Sequence, residues 1–460
     1  MSLQLYNSLT KRKELFTPIT PGKIKLYVCG VTVYDYCHIG HARTYLAFDV
    51  IIRYLRWRGF EVTYVRNITD IDDKIIKRAH QNHETPEQLV ARFVKVMHDE
   101  FAKLNILPPD LEPTATGTVA EIIAMNQTLI DKGFAYAASN GDVYYRVAKF
   151  KDYGKLSGQH IEQLRVGERV EINTDKEDPL DFVLWKSSKP GEPSWESPWG
   201  PGRPGWHIEC SAMTKKSLGD TFDIHAGGSD LRFPHHENEI AQSEAANGCE
   251  FARYWLHSGM VQVNAKKMSK SLGNFFIIGD VLKEYRAEVV RYFLISGQYR
   301  GEINYCDENL QAAESSLARF YTALRGLNLD GVNPPEKETY TERFITAMDD
   351  DFNTPEAIAV LFELIREINR LRETDMAQAA QFGVLLKNLC QILGIAQQPP
   401  GAFLQSDGTV DAAAVEALIG QRNQARKNKD WAASDRIRNQ LTEMGVTLED
   451  SSQGTLWRKM

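Results

Sequence analysis

Hydrophobic and polar positions in the first 70 residues follow the order strand, helix, strand. The stretch KIKLYVCG (23–30) is rich in Ile, Leu, Tyr and Val and stops at a glycine, which is typical of a buried strand. In HARTYLAFDVIIRYLRWRGF (41–60) the apolar residues recur at helical spacing up to Gly59. The stretch EVTYVRNI (61–68) has the pattern of a second strand. We therefore predict an α/β fold with a doubly wound parallel sheet, whose ligands bind at the carboxyl ends of its strands.

The pattern changes twice along the rest of the chain, which predicts further domains. Helical stretches, a short strand-like segment and a loop rich in Pro, Gly and Trp occupy about 105–205, and the strand-like FDIHAGG (222–228) follows. We predict a Rossmann-like catalytic domain over 1–310 that contains a connective insertion at about 105–205. Amphipathic helices predict an all-α bundle over 311–398, and a linker rich in Pro and Gly introduces a small mixed domain over 399–460.

Composition and charge narrow the class of protein. Hydrophobic residues make up 43% and charged residues 25% of the 460 positions, as in ordinary globular proteins. The N-terminus lacks the apolar segment of a signal peptide, and no apolar run approaches the ~20 residues that span a bilayer, so we expect a cytoplasmic protein without membrane contact. The formal net charge of −7 argues against a uniformly basic nucleic-acid binder but allows a local basic patch, and we expect a monomer.

The quartet His38-Ile39-Gly40-His41 stands at the start of the first predicted helix. Histidines three residues apart share one helix face, and a helix N-terminus offers N–H groups and a positive dipole end to a phosphate. Gly40 allows a flat base or a backbone to approach closely. A metal-binding pair and two surface histidines remain alternatives for the same pattern.

A second motif, KMSKSLGN (267–274), places Lys267 and Lys270 in a short polar stretch. Lysine is a flexible point charge that suits a mobile loop carrying cations to a triphosphate and its leaving pyrophosphate. A solvated basic loop is the alternative for an isolated Lys-x-x-Lys pattern. The occurrence of both motifs in this order favours nucleotide chemistry.

Several scattered residues are candidate metal ligands. The six cysteines do not form a disulfide framework, so each is a thiol, a core residue or a ligand. In PHHENE, His235 and Glu239 are four residues apart and can face one ion from one helix. Together with Cys29 and Cys210 they offer two thiolates, an imidazole and a carboxylate, a donor set suited to tetrahedral zinc. His236 and Glu237 are further candidates, and burial of each cysteine in the core is the alternative.

The chain resembles the class I aminoacyl-tRNA synthetases and, among them, the cysteinyl-tRNA synthetase family. The resemblance covers the catalytic portion and extends into the helical domain through YVCGVTVYD, CHIGHART, YVRNITDIDDKII, DFVLWK, GRPGWHIECSAM, FDIHAGGSDLRFPHHENE, HSGM, KMSKSLGNF, VRYFLISG and MDDDFNTPEA. It implies activation of L-cysteine by ATP with Mg²⁺, through cysteinyl-adenylate, and transfer to the terminal ribose of tRNA(Cys). It also implies that four residues stabilise the transferring phosphates, namely His38, His41, Lys267 and Lys270.

The resemblance further implies the roles of individual residues. The positions that match the family's zinc ligands are Cys29, Cys210, His235 and Glu239. The expected cysteine-binding residues are Cys29, Thr69, Trp206 and His225. The expected ATP-binding residues are Gly40, Gly228, Asp230 and Lys270. The chain departs from the family at Ala226, where a glycine is frequent, so we expect some crowding of the nucleotide there.

The tRNA-binding side is carried by QRNQARKNKDWAASDRIRNQL (421–441), which has six Lys and Arg residues against two Asp. A basic helix with an exposed Trp can follow phosphates and stack on a base, whereas a solvated helix face is the alternative. The resemblance implies that this C-terminal domain binds the anticodon, and we expect the contacts to come from Arg426, Trp431, Asp435 and Asp450.

Three other functions compete with this interpretation. A related ligase that joins cysteine to a small amine would share the adenylating half and zinc, but it has no need of the helical and basic C-terminal domains. A non-catalytic nucleotide- or tRNA-binding paralogue would have lost a motif or a ligand. A zinc hydrolase would leave the lysine motif unexplained.

Overall fold

The computed structural model describes residues 3–160, 175–263, 266–267, 275–405, 412–451 and 454–459. The chain divides into two compact units, one formed by Met1–Leu310 with Glu342–Ile358 and the other by Gln311–Thr341 with Ala359–Met460. The domain boundaries that we derive from the sequence stay predictions. No helix of the described residues combines the length and the apolar character needed to cross a bilayer.

The elements of the described residues alternate between strands and helices in the first unit and are mostly helical in the second. The strands are β1 (Gln4–Asn7), β2 (Arg12–Leu15), β3 (Lys23–Thr32), β4 (Glu61–Thr69), β5 (Ala135–Ala137), β6 (Val143–Tyr145), β7 (Phe182–Ser187), β8 (Gly202–Pro204), β9 (Phe222–Gly228), β10 (Ala252–Ser258), β11 (Val261–Val263), β12 (Lys266–Lys267), β13 (Ile303–Tyr305), β14 (Val446–Ser451) and β15 (Gly454–Lys459). The helices are α1 (Ile39–Trp57), α2 (Asp73–Asn82), α3 (Pro86–Lys103), α4 (Val119–Asp131), α5 (Trp206–Leu218), α6 (His235–Asn247), α7 (Ile278–Glu284), α8 (Ala287–Ile295), α9 (Asp307–Leu324), α10 (Tyr340–Asp349), α11 (Thr354–Leu371), α12 (Met376–Leu393), α13 (Pro400–Gln405), α14 (Ala412–Lys427) and α15 (Trp431–Glu443).

The centre of the first unit is a four-stranded sheet in the order β10-β9-β3-β4. All three pairings in it are parallel, and β3, α1 and β4 form the predicted β-α-β unit. Most residues of β4 and β9 are buried regardless of the face they point to, as expected for a parallel sheet covered on both sides. The α/β parallel-sheet prediction is therefore confirmed.

The first strand of this sheet extends further than the sequence pattern predicts. We expect β3 to stop at Gly30, but it continues to Thr32 with a register shift between Val28 and Val31. A Cβ atom at Gly30 would lie 1.6 Å from the Asn67 carbonyl oxygen of β4, so only glycine fits. The Gly30 N–H donates to Asn67 Oδ1 at 2.7 Å. This close approach lies within the register shift, directly after Cys29.

The predicted insertion contains a second four-stranded sheet, which is antiparallel and ordered β5-β6-β7-β8. Its turn at 154–157 is fastened to α6, because the buried Glu237 accepts backbone hydrogen bonds from Gly154 at 2.9 Å and Ser157 at 2.7 Å. Tyr153 also donates to Asn238 of α6 at 2.5 Å. The insertion thus supports the helix that carries His235 and Glu239.

The second unit contains helices and, at its end, the antiparallel hairpin of β14 and β15. The hairpin and the helices α14 and α15 share a small core of Val415, Ile419, Leu441, Val446 and Trp457. Trp457 also donates from its indole to Glu416 of α14 at 2.8 Å. This core holds the basic helices against the hairpin.

Candidate active site

A cavity of about 490 Å³ opens at the carboxyl ends of β3, β9 and β10. These are the ends where the strand pattern predicts ligand binding. Its lining includes many of the residues selected from the sequence, namely Cys29, His38, Gly40, His41, Trp206, Gly228 and Asp230. The quartet, one candidate metal ligand and the residues expected to bind adenosine therefore share one cavity.

The two histidines of the quartet are locked together at the start of α1. His38 is the N-cap, and its Nδ1 accepts the His41 N–H at 3.3 Å, while Nδ1 of His41 accepts the His38 N–H at 3.2 Å. The rings are stacked with centroids 3.6 Å apart. A neutral imidazole that accepts at Nδ1 carries its proton on Nε2. Both rings can therefore donate Nε2–H to a phosphate oxygen at the positive end of the helix.

The segment that follows the lysine motif in the chain lies beside the quartet. Lys270 lies outside the described residues, and of Lys267 only the backbone in β12 is described. Phe275 lines the cavity and packs edge-on against His38, with ring centroids 4.7 Å apart. Ile39 donates to the Phe276 carbonyl at 2.9 Å. Phe275 and Phe276, the first described residues after the motif, thus lie directly beside the start of α1.

Glu100 of α3 is buried against this segment and accepts a hydrogen bond from the Gly279 N–H, and burial raises the pKa of its carboxyl to about 7. Below a pH of ~4.3 the Glu100 carboxyl is protonated in both the folded and the unfolded chain, so its burial costs no stability. As the pH rises, the unfolded chain ionises first, and the free energy of unfolding falls until the pH has passed about 7. Glu100→Gln keeps an acceptor for Gly279 without the charge. We expect its thermal midpoint to exceed that of the wild type by a few degrees at pH 8 and to match it at pH 4. Thermal unfolding followed by circular dichroism across this range, with the exposed Glu87→Gln as control, checks this; an equal shift at both pH values would contradict it.

The four predicted metal ligands converge beneath the cavity. The Cys29 and Cys210 Sγ atoms are 3.9 Å apart, and Glu239 Oε1 lies 3.4 Å from Cys29 Sγ and 3.0 Å from His235 Nε2. One ligand atom from each of the four residues lies within 4.8 Å of the others, and all four residues are buried. Tetrahedral zinc with thiolate, nitrogen and oxygen ligands has ligand-to-ligand distances of about 3.3–3.8 Å. The residues present therefore fit a zinc ion.

The protonation of this cluster suits a cation. A hydrogen bond from the Cys29 thiol lowers the pKa of Cys210 to about 6, whereas burial raises the pKa of Cys29. Burial alone would lower the pKa of His235, but the Glu239 carboxylate raises it to about 10. The Nδ1 atoms of His235 and His207 lie 2.9 Å apart, which leaves Nε2 of His235 for the cluster. The cluster therefore offers the donor atoms that zinc prefers. The protons that now neutralise its thiol and imidazole groups are those that a bound zinc ion would replace.

A second group of potential ligands shares Cys29 and Glu239 and adds His225 and His236. Nε2 of His225 lies 2.8 Å from Glu239 Oε2, and Nδ1 of His236 lies 2.9 Å from Nε2 of His257. The other ring nitrogens, Nδ1 of His225 and Nε2 of His236, are buried without a hydrogen-bond partner among the described residues. Because thiolates favour zinc, the group with two cysteines is the better zinc site.

Two residues that we expect to contact cysteine lie behind the cavity. Thr69 and His225 are buried and do not line it. The Thr69 hydroxyl donates to Glu209 Oε2 at 2.9 Å, and His225 is engaged with Glu239. Trp206 does line the cavity and stacks on His235, with ring centroids 4.3 Å apart. The assignment of Thr69 and His225 as cysteine-binding residues stays a prediction.

The nucleotide side is formed where β9 ends. Gly228 is followed by a 3₁₀ turn over Ser229–Arg232, and a Cβ atom at Gly228 would lie 2.4 Å from Asp230 Oδ1. Ala226 is fully buried in β9 and is not among the residues that line the cavity, and the expected crowding of the nucleotide stays a prediction.

Several lining residues escape selection from the sequence. They include Thr32, Tyr34, Asp35, Tyr36, Thr44, Lys74 and Ser258. A usable signal exists for some of them, because Thr32 and Ser258 end β3 and β10, and Lys74 follows shortly after β4. The position after a parallel strand is thus as informative as the residue type.

The C-terminal candidates lie in the second unit. Arg426, Trp431, Asp435 and Asp450 are all exposed, and Trp431 is 60% exposed. The buried Arg422 pairs with both oxygens of Asp450, at 2.8 and 2.7 Å, and Arg426 reaches Asp450 Oδ2 at 2.9 Å. Arg422 thus holds the Asp450 carboxylate in place. Nothing in the sequence predicts this role for Arg422.

Known proteins match the chain along nearly its whole length. Residues 15–315 match the family model of the tRNA synthetases class I (C) catalytic domain, 343–397 the DALR domain, and 412–458 the cysteinyl-tRNA ligase anticodon binding domain. A cysteine–tRNA ligase of Francisella tularensis subsp. novicida is 62% identical over 455 residues, which is 99% of each chain. One of Ectopseudomonas mendocina is 61% identical over 460 residues, covering 100% of this chain and 99% of the relative.

Solved structures agree on the fold. The methionyl-tRNA synthetase of Mycobacterium tuberculosis, in complex with methionyl-adenylate, is similar with a TM-score of 0.58 and 17% identity, over 90% of this chain and 96% of that one. A likeness at this identity concerns the fold alone, and it is that of the class I synthetases. With full-length identity above 60% to named relatives, the chain belongs to the cysteine–tRNA ligase family of class I aminoacyl-tRNA synthetases.

Proposed function

We propose that the chain activates L-cysteine with ATP and transfers the cysteinyl group to the 3′-terminal ribose of tRNA(Cys), with zinc selecting the substrate thiolate. One observation supports this proposal above all: Cys29 of the buried ligand cluster lines the same cavity as His38, His41 and Asp230. A thiol-selective end and a phosphate-binding end in one cavity are what the adenylation of cysteine requires.

At the cysteine end, Cys29, Cys210, His235 and Glu239 would hold the zinc ion. Zinc coordinates a thiol as thiolate and binds a serine hydroxyl far more weakly, so it distinguishes two substrates that differ in one atom. A cavity alone separates near-isosteres by only ~10–200-fold. His207 orients His235 through the contact between their Nδ1 atoms, and Trp206 packs on His235 to close the cluster toward the cavity. Thr69 and His225 complete the set of cysteine-binding residues, and their hydrogen bonds to Glu209 and Glu239 hold these two carboxylates in place.

At the nucleotide end, the N–H groups at the start of α1 and the Nε2–H groups of His38 and His41 bind the phosphates of ATP. Gly40 and Gly228 leave room for the nucleoside, and Asp230 accepts from its ribose hydroxyls. Lys267 and Lys270 pair with the β- and γ-phosphates together with Mg²⁺. The placement of Phe275 and Phe276 against the start of α1 supports the approach of these lysines.

The reaction needs no nucleophile from the protein. The cysteine carboxylate attacks the α-phosphorus, an O–P bond forms, the bond to the β-phosphate oxygen breaks, and pyrophosphate leaves. The 2′-hydroxyl of the terminal ribose then attacks the adenylate carbonyl, loses its proton, and AMP leaves. The chain contributes orientation and hydrogen bonds to the charge that develops on the phosphates.

The anticodon is bound by Arg426, Trp431, Asp435 and Asp450 on the C-terminal domain. Exposed Trp431 offers a stacking surface, and the carboxylates accept from base N–H groups. This assignment favours a tRNA ligase over the small-amine ligase, which needs no such domain.

Asp450→Asn is expected to lower charging of tRNA(Cys) by about 10–100-fold, within the ~1–3 kcal/mol of a good contact to a base, and to leave cysteine-dependent ATP–pyrophosphate exchange unchanged. The Arg422 guanidinium holds the pKa of Asp450 well below its usual range. Because the pKa of Asp450 is lowered in the folded domain, its pair with Arg422 contributes its full stability at every pH above ~3.9. This stability is lost only as the pH falls through the lowered pKa, so the wild-type domain should be equally stable from pH 8 to 5. Glu443→Gln, which removes an exposed charge from α15, is the control. Equal losses of exchange and charging in Asp450→Asn would argue against an anticodon contact.

The proposed function is tested by cysteine-dependent ATP–pyrophosphate exchange on the zinc-loaded protein, with serine as the competing substrate, followed by charging of total tRNA. Exchange with cysteine alone and charging of one tRNA species is the expected result. Exchange without charging of any tRNA would support the small-amine ligase instead. Absence of exchange would leave the non-catalytic paralogue.

A further inference from the structure

Arg43 of α1 carries a buried charge that the proposed function does not use. It lies two residues after His41 in the chain and is 1% exposed. Among the described residues, no acidic side chain pairs with its guanidinium, whose hydrogen bonds go to backbone carbonyls. Burial, with no acid to oppose it, lowers the pKa of this guanidinium to about 10. A buried charge without an ion-pair partner is costly to keep, which favours a role beyond packing.

The guanidinium binds the chain where α8 ends. Its Nη1 donates to the Leu294 carbonyl, and its Nη2 donates to the carbonyls of Gln298 at 2.7 Å and Gly301 at 3.3 Å. A cation is favoured beside the unpaired carbonyls at the end of a helix. Because a guanidinium is planar, its N–H groups point in fixed directions, so these bonds set the distance between α1 and the segment 297–301.

The segment 297–301 lies in turn against part of the cavity lining. Gly259, which lines the cavity, donates to the Tyr299 carbonyl at 2.8 Å. A Cβ atom at Gly259 would lie 2.1 Å from the Gly301 carbonyl oxygen, so the two backbones are in close contact and only glycine fits. The same carbonyl of Gly301 accepts from the guanidinium of Arg43. Through this segment, Arg43 is connected to the wall of the cavity.

The connection continues from Gly259 into the lysine motif. The residues that follow Gly259 form β11, which pairs in parallel with β13 and antiparallel with β12. In the second pairing, Gln262 lies opposite Lys267, the first residue of the motif. The chain that enters the motif is therefore linked to α1 through Arg43, and a displacement of about 1 Å in such a link can cost ~10²-fold in rate.

We propose that Arg43 is a positioning residue, which holds the lysine motif at its working distance from the start of α1 through the segment 297–301 and β11. The quartet and the lysine motif then keep the separation that the phosphates of ATP require. Arg43 is not among the residues that line the cavity, so it acts only through this backbone. The inference rests on the proposed function, and it concerns adenylate formation alone, since pyrophosphate has left before transfer to tRNA begins.

The test separates the two half-reactions in wild type, Arg43→Met and Arg43→Lys. ATP–pyrophosphate exchange is measured at varied ATP and cysteine, and single-turnover transfer to tRNA(Cys) is measured from enzyme-bound cysteinyl-adenylate. Arg43→Met removes all three hydrogen bonds and should lower kcat for exchange by about 10²-fold. Its KM for cysteine, its zinc content and its transfer rate should stay near the wild-type values. Arg43→Lys keeps the charge without the planar fork, so it should show a smaller loss of the same kind, and it carries the test if Arg43→Met does not fold.

Arg372 of the second unit offers a matched control. Its guanidinium also donates to backbone carbonyls at the end of a helix, those of Thr322 at 3.4 Å, Ala323 at 2.6 Å and Arg325 at 2.5 Å, and none of these residues lines the cavity. Arg372→Met should exchange at the wild-type rate.

Two results would overturn the proposal. One is wild-type exchange in the folded Arg43 variants. The other is a loss of transfer or of cysteine binding that equals the loss of exchange, because Arg43 would then support the fold in general. Failure of the wild-type protein to exchange would instead contradict the proposed function, which is a separate result.

Discussion

Cys210→Ser should abolish zinc binding and lower cysteine-dependent ATP–pyrophosphate exchange by roughly 10³-fold or more. Cys210 is buried, and its sulfur lies 3.9 Å from that of Cys29, so no other described thiol can take its place in the cluster. A serine hydroxyl stays protonated and is a poor zinc ligand. Changes to outer partners of a metal site already cost ~10–100-fold, and loss of a ligand should exceed that range.

The measurement pairs metal content, determined by atomic absorption, with exchange kinetics at varied cysteine. Cys249→Ser serves as the control because Cys249 is exposed and belongs to neither ligand group. It should retain zinc and full exchange. Stoichiometric zinc together with an unchanged KM for cysteine in Cys210→Ser would refute both the ligand assignment and the thiolate-selection argument.

His41→Ala should lower kcat for exchange by about 10²–10³-fold, the usual effect of removing one hydrogen-bond donor to developing charge. Its KM for cysteine and its zinc content should stay near the wild-type values, because His41 lies at the nucleotide end of the cavity. The substitution also removes the acceptor for the His38 N–H, which loosens the locked pair. Asn at this position can supply an acceptor and a donor, so His41→Asn should recover part of the rate.

The exposed His98, on α3, provides the comparison, and His98→Ala should exchange at the wild-type rate. Thermal unfolding separates a catalytic loss from a general one, since His41 sits in the first turn of α1. If His41→Ala kept its kcat and instead raised the KM for cysteine, the histidine would belong to the amino-acid end and our assignment would be incorrect.

Much of the fold follows from short-range pattern. Periodicities of two and of about four residues predict the β-α-β order, the strand FDIHAGG and the pairing of His235 with Glu239. These periodicities involve only residues that are close together in sequence. The convergence of Cys29, Cys210 and His235 needs contacts between residues far apart in sequence. Residue types make these side chains candidate ligands, but no closely spaced cysteine pair indicates that they converge, and the family resemblance supplies the stronger argument.

The positions that pattern does not predict share a physical cause. Gly30 does not end β3, because its missing side chain is needed for a close approach to Asn67, not for a turn. Thr69 and His225 stay predictions as cysteine-binding residues, but the sequence gives no sign that their side chains hydrogen-bond to Glu209 and Glu239. Which way a buried polar group points is decided by partners on other elements, and a single segment of sequence carries no record of them.

The spacing of the ligand cluster along the chain has a consequence for biosynthesis. Cys29 leaves the ribosome early, whereas its three partners come from α5 and α6, on the far side of the insertion. A complete set of donors therefore exists only after about half of the polypeptide has been made and β3 has paired with β9. A metal ion that needs all four donors would then be bound late in synthesis, and nascent chains that stall before residue 239 would lack the complete set of donors.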